Sequence, residues 1–386
     1  MRLKIAAFMV GCAVATAGLV MAEDQDGGRG HQHPVPRLDH IFVIVMENHA
    51  YSQIIGDPNS PFTNQYAKQA NLATNYWAVG HPSLTNYLEI IGGSNFGIVN
   101  DNPPDWHNSN CVSTLSVPVD ESTSPAKSCP ISGSGMDAAT LAVDTTNEGT
   151  PSEPVYNDPL NPAKTIGMTV ADQLVQRGFT WKSYQENLPP SGADRVEYSD
   201  GLVSTITQSE PGMPKFYAVK HNPFAYFANV EEGDNPKLSL RQSVDFHQLF
   251  ADLERGDMPN YSLIVPNQCH DQHGRGVTEV GTGCSVDANA LQQGDAALSI
   301  LIPAIKASKS WKQGNNAIVV VWDENDYSSL PNKVVAIVDT SYEPAGKTSS
   351  VKYNHFSLLK TIEAGFGLDY LNHAGDDNVQ LMSDLF

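Results

Sequence analysis

His40-Ile41-Phe42-Val43-Ile44-Val45-Met46-Glu47-Asn48 decides the fold. After His40 the run is apolar at every position, which describes a strand buried on both faces and not a half-exposed one. A carboxylate and an amide follow immediately. Comparable apolar runs occupy 179–184, 215–219, 262–265, 317–322 and 334–338. Helical patterns lie between them at 63–73, 83–91, 166–176, 243–255, 295–306 and 355–364, with Gly178 and Gly256 where helix C-caps are expected. Strands alternating with helices predict an α/β protein. The expected form is a three-layer α/β/α sandwich with a mostly parallel sheet.

The chain segments after these strands carry the chemistry. They hold Glu47-Asn48, Glu186-Asn187, His221-Asn222, then Asn267, Asp271 and His273, then Asp323-Glu324-Asn325-Asp326. Parallel strands bring their carboxyl ends to one edge, where open α/β sheets bind ligands. Glu47, Asn48, Asp323 and Glu324 are hard oxygen donors, suited to one divalent cation such as Ca, Mg or Mn. Adjacent buried carboxylates repel, and a cation keeps both ionised. Ser83 lies in Gly80-His81-Pro82-Ser83-Leu84-Thr85-Asn86-Tyr87, at the start of an apolar helical run. A helix N-terminus favours an anion or an alkoxide. A plain capping serine is the alternative reading of that position.

The 386 residues carry 23 basic and 43 acidic side chains, a net charge of -20, with 40% hydrophobic residues. That composition supports a real core. It argues against nucleic acid or an anionic membrane as partner, because both need clustered Lys and Arg. Met1-Arg2-Leu3-Lys4, the apolar run 5–21 and Ala22 read as a signal peptide ending at Ala22. Its removal takes Arg2 and Lys4, moving the charge from -20 to -22. The expected protein is exported, periplasmic or secreted, with no stable membrane insertion. Residues 23–37 read as a flexible lead-in and 38–386 as one domain with a loop-rich insertion at about 100–162. Cys111, Cys129, Cys269 and Cys284 then remain in an oxidising compartment. Three pairings are open. The local one, Cys111 with Cys129 and Cys269 with Cys284, is preferred because it closes short loops.

Asp39 to His49 resembles the opening strand of the secreted phosphoesterases, the family of bacterial and fungal acid phosphatases and phospholipases C within the alkaline phosphatase superfamily. His81-Pro82-Ser83-Leu84-Thr85-Asn86-Tyr87 is similar to its nucleophile segment. Lys220-His221-Asn222-Pro223-Phe224, Pro266-Asn267-Gln268-Cys269-His270-Asp271-Gln272-His273, Val321-Trp322-Asp323-Glu324-Asn325 and the stretch from Tyr353 to Glu363 resemble later blocks, in family order. The resemblance implies an alkaline phosphatase-like fold and a metal-dependent phosphoesterase. It implies that Glu47, Asn48, Ser83, Asp323 and Glu324 hold one divalent cation, with Ser83 attacking phosphorus to give a phosphoserine. His221 and His273 would then neutralise phosphoryl oxygens or protonate the leaving alcohol, with Asn86, His81 and His355 as further substrate contacts.

Two positions depart from the pattern: Thr85 stands where relatives usually have Pro, and Glu324 where some have Asp. The expected substrate is a small phosphate monoester. A phospholipase C-like diesterase and a non-catalytic exported metal- or ligand-binding protein are the alternatives. Other phosphatase and nucleotide signatures fail. The Cys269-x5-Arg275 spacing lacks a following Ser or Thr. His273-Gly274-Arg275 is preceded by Gln272 where an Arg is needed. Gly346-Lys347-Thr348 is half a P-loop.

Overall fold

The computed structural model describes residues 35–104, 119–120, 127–138, 163–188, 217–231, 233–274, 288–326 and 332–386. The signal-peptide reading, Cys111, Cys284 and most of the 100–162 insertion fall outside them.

Thirteen strands are described, in chain order: β1 His40–Met46, β2 Asn71–Trp77, β3 Val119–Asp120, β4 Lys127–Ser128, β5 Ser134–Met136, β6 Lys164–Ile166, β7 Trp181–Gln185, β8 Ser243–Asp245, β9 Tyr261–Val265, β10 Asn316–Trp322, β11 Lys333–Thr340, β12 Thr348–Ser349 and β13 Tyr353–Asn354. The helices are α1 Tyr51–Ile54, α2 Pro61–Gln69, α3 Ser83–Gly92, α4 Val170–Gln176, α5 Ala228–Glu231, α6 Phe246–Arg255, α7 Ala288–Ala307 and α8 His355–Phe366.

Nine strands form one sheet in the order β12-β2-β11-β10-β1-β9-β7-β8, with β13 also pairing β2. β1 runs parallel to β10 and β9, and β7 parallel to β9 and β8. β11 is antiparallel to both of its neighbours and so is the one reversed strand. The fold is α/β with a mostly parallel sheet, as the apolar runs require. Every residue of β10, and every residue of β1 after His40, is buried. Successive side chains point to opposite faces, so both faces must be covered. The helices pack in two groups: α3 with α4 and α8, and α7 with α2 and α6.

Several expected elements changed, among them the helix expected over 166–176, which starts at Val170 after strand β6, and the one expected over 295–306, which starts at Ala288. Residues 63–73 were expected as one helix, but the helix is Pro61–Gln69 and Asn71 opens strand β2. The expected strand at 215–219 does not form over its described part. Val219–His221 is a turn of 3-10 helix ending in a loop. The helix expected from 243 starts at Phe246, after the short strand Ser243–Asp245. Asp245 Oδ1 accepts from the Gln248 N–H at 3.1 Å, a side-chain cap that sets that start. Gly256 ends the helix in the left-handed region, φ 77, as the sequence suggested.

Candidate active site

Register builds the site. Met46 pairs with Trp322 at the carboxyl ends of β1 and β10, so Glu47 and Asp323 emerge side by side. The Asp323 N–H donates to Met46 O at 2.9 Å, and the Glu47 N–H to Asp271 O at 2.8 Å. Three acids from three segments are thereby fixed through the main chain. Asn48 follows in the left-handed region, φ 59, which Asn tolerates better than most residues. That bend turns its N–H onto Asp323 Oδ1 at 3.1 Å.

Ser83 is the first residue of α3, after Pro82. Its Oγ lies 3.1 Å from Glu47 Oε2 and 3.1 Å from Glu324 Oε1. A hydroxyl has one hydrogen and can satisfy only one of two carboxylates. A proton or a cation must therefore reconcile the other. Asn86 sits one turn on. Its Oδ1 accepts from Gly80 N at 3.0 Å and Val79 N at 3.2 Å, while Nδ2 donates to Gly80 O at 2.9 Å and Glu324 Oε2 at 3.2 Å. Asn86 thus shapes the loop that delivers Ser83. His81 Nδ1 lies 2.6 Å from Glu324 Oε2. Burial pushes its pKa down to about 3, which favours the neutral ring.

His221 stands between two acids, with Nε2 3.0 Å from Glu47 Oε1 and Nδ1 3.5 Å from Asp271 Oδ2. Its ring stacks on Tyr87 at 5.1 Å between centroids and 9° between planes. His273 lies beside it at 6.2 Å, with Nδ1 2.8 Å from Gly274 O. His355 has a different place. Its Nδ1 is 3.1 Å from the Tyr76 hydroxyl and its Nε2 is 2.7 Å from Asp323 O. Both ring nitrogens are thus engaged, and His355 braces the Asp323 main chain.

Burial sets the electrostatics. It raises Glu47 well above the usual carboxyl range, with help from Asp323, and raises Asp271, with help from Glu47. It lifts Asp323 to about 7. His221 goes the other way, lowered first by burial and then by Lys220 and His273. Buried acids in this state are stabilised by a proton or a cation.

Among the described residues no group of three or more His, Cys, Asp and Glu side chains forms a ready cation cage. The donor chemistry nonetheless fits a hard cation. Glu47 and Glu324 converge on the Ser83 hydroxyl, the Asn48 N–H lies on Asp323 Oδ1, and Asp323 Oδ2 is buried with no hydrogen-bond partner.

The structure therefore brings together Glu47, Asn48, Ser83, Asp323, Glu324, His81, Asn86, His221 and His273. Asp271 was visible in the sequence as a loop acid but had no assigned role. Its contact with His221 crosses from one sheet-edge loop to another, and only its position two residues before His273 hinted at it.

Acidic and hydroxyl side chains thus gather at the carboxyl edge of a mostly parallel sheet. The chain belongs to the Phosphoesterase family, whose profile matches residues 57–369. It is 24% identical over 343 residues to a probable acid phosphatase of Kluyveromyces lactis, covering 88% of this chain and 61% of that protein. The chain thus spans less than two thirds of the yeast relative. It is 23% identical over 341 residues to a phosphatidylinositol-3-phosphatase of Mycobacterium tuberculosis, covering 88% of this chain and 81% of that protein. Among solved structures, a protein in the alkaline phosphatase superfamily from Vibrio parahaemolyticus superposes with a TM-score of 0.48 at 12% identity, over 89% of this chain and 71% of that one.

Proposed function

We propose that the chain is an exported, metal-dependent phosphomonoesterase of acid phosphatase type that works through a phosphoserine at Ser83. One observation carries this reading: a helix-start hydroxyl held 3.1 Å from each of two buried carboxylates. The Ser83 oxygen attacks phosphorus in line, and the bond to the leaving alcohol breaks. The hydroxyl proton passes to Glu47 or Glu324, the acceptors already in contact. His221 and His273 donate to the non-bridging oxygens or protonate the leaving alcohol. Asp271 orients His221. Water then releases phosphate from the serine. Glu47, Asn48, Ser83, Asp323 and Glu324 would hold the divalent cation. Its chemistry is to favour the serine alkoxide and to offset phosphoryl charge.

The relatives' names, acid phosphatase and phosphatidylinositol-3-phosphatase, support monoester hydrolysis. Export is supported by the N-terminal pattern and by Cys129 and Cys269, both half of a disulfide. The proposed partners are Cys111 and Cys284. Among the described residues no helix is long and apolar enough to cross a membrane.

The test strips the protein with chelator and measures release from p-nitrophenyl phosphate as Ca, Mg or Mn is restored. Return of turnover with a divalent cation supports the reading. Turnover indifferent to chelator removes the metal, and hydrolysis of bis-p-nitrophenyl phosphate or phosphatidylcholine alone makes the enzyme a diesterase.

A further inference from the structure

Helix α3 carries Ser83, yet its N-cap residue is Pro82, which offers no side-chain cap. The cap comes instead from Asp101, whose Oδ1 accepts from the Leu84 N–H at 3.0 Å. The other oxygen, Oδ2, accepts from Lys220 Nζ at 2.9 Å. Both side chains are buried, at 1% and 7% exposure for Lys220 and Asp101. A buried ion pair is an expensive way to cap a helix, because desolvating two charges offsets most of their attraction. A neutral Ser or Asn would cap as well. The expense falls beside the reaction centre. Lys220 adjoins His221, whose ring stacks on Tyr87 of the same helix and reaches Glu47. The pair therefore joins the three segments that carry Ser83, His221 and the 101 loop.

Resting on the phosphomonoesterase reading above, we propose that Lys220 and Asp101 are a positioning pair for Ser83. Asp101 fixes the start of the nucleophile helix, and the buried Lys220 ammonium is a fixed positive charge beside the acids. Lys220 directly precedes His221, which lies 3.0 Å from Glu47, so its buried charge falls beside the acids. It supplies part of the local sign reversal that an anionic substrate needs in a protein of net charge -20. Asp101 holds it in place and does not touch the reacting atoms.

The test uses the full chain and three variants: Lys220→Met, Lys220→Met with Asp101→Asn, and Lys220→Arg. The readouts are the urea midpoint, kcat and KM on p-nitrophenyl phosphate, and calorimetric binding of orthophosphate. Lys220→Met strands a buried carboxylate and loses both stability and turnover. The double variant removes both charges while keeping an amide oxygen for Leu84 N–H. Its stability returns towards wild type, but kcat and orthophosphate affinity stay at least about tenfold down, a loss of roughly 1.4 kcal/mol. Lys220→Arg keeps the charge and recovers orthophosphate binding to within about threefold.

Recovery of turnover and orthophosphate binding together with stability in the double variant would overturn the proposal, leaving the pair purely structural. So would a folded Lys220→Arg variant that binds orthophosphate no better than Lys220→Met. If the wild-type chain releases phosphate from no ester, the phosphatase reading fails on its own. The pair is then judged by orthophosphate binding: wild-type affinity in the double variant sinks it, and a tenfold loss sustains it.

Discussion

Helix α3 ends in two clusters built from the same parts. At its start, His221 stands between Glu47 and Asp271, at 3.0 and 3.5 Å. At its end, His373 stands between Asp137 and Asp376, at 2.5 and 2.6 Å. The His373 N–H donates to Gly93 O at 3.0 Å, and Asn372 Nδ2 to Gly92 O at 2.7 Å, so this second cluster clasps the helix C-terminus. The outcomes are opposite. Burial lowers the His373 pKa, but its bonds to Asp137 and Asp376 outweigh that and raise it. At His221 burial wins, joined by Lys220 and His273, and the pKa falls. The clasp has satisfied its charges internally and is finished as structure. The acids around Ser83 are raised by burial and Asp323 Oδ2 is buried with no hydrogen bond, an imbalance that the proposed cation and anionic substrate would complete. Like composition does not mean like role; satisfaction of hydrogen bonds separates them.

The comparison can be broken at several points. Ser83→Ala should lower turnover of p-nitrophenyl phosphate by at least about 10³-fold. Its urea midpoint should hold or rise, because a hydroxyl squeezed between two carboxylates is removed. Next in size is a paired substitution. His221→Asn should cost about 10²-fold in kcat with little change in stability. His373→Asn should leave kcat within about threefold but lower stability by about 2–4 kcal/mol, because Asp137 loses its buried partner. If His373→Asn damages turnover as much as His221→Asn, the two ends of α3 are not separate in role.

The pH dependence sharpens the same contrast. His373 has a folded-state pKa above its ordinary 6.5. Its stabilising contribution is therefore full below about pH 6.5 and is lost as pH rises through the folded value. The wild-type urea midpoint should fall across that alkaline window, and His373→Asn should flatten the slope. A steeper slope in the variant would place the titration elsewhere. The smallest effect concerns α8, which carries His355. Asn354 Oδ1 accepts from the Ser357 N–H at 3.1 Å as its cap, so Asn354→Ala should cost about 1 kcal/mol in a denaturation curve.

The parallel sheet and its reactive edge were legible because they rest on local pattern. Unbroken apolar runs at 41–46 and 317–322 mark the central strands, and Glu47 and Asp323 simply follow them. β2 was not legible. Asn71-Leu72-Ala73-Thr74-Asn75-Tyr76-Trp77 has two Asn and a Thr in it, and only Ala70 separates it from a helix. Its strand state is imposed by pairing with β11, β12 and β13. The same limit applies in the pocket. The resemblance implied a substrate contact for His355, and no local signal announced its bonds to the Tyr76 hydroxyl and Asp323 O. Asp101 and Lys220 are 119 positions apart, and no local signal joins them.

The most direct test of the account is an acid quench during turnover of p-nitrophenyl phosphate, followed by mass spectrometry of the peptide containing Ser83. The account predicts a phosphorylated Ser83 in the wild-type protein and none in Ser83→Ala, which also fails to turn over. Steady turnover by Ser83→Ala, or a phosphoryl group trapped on another residue, would contradict it.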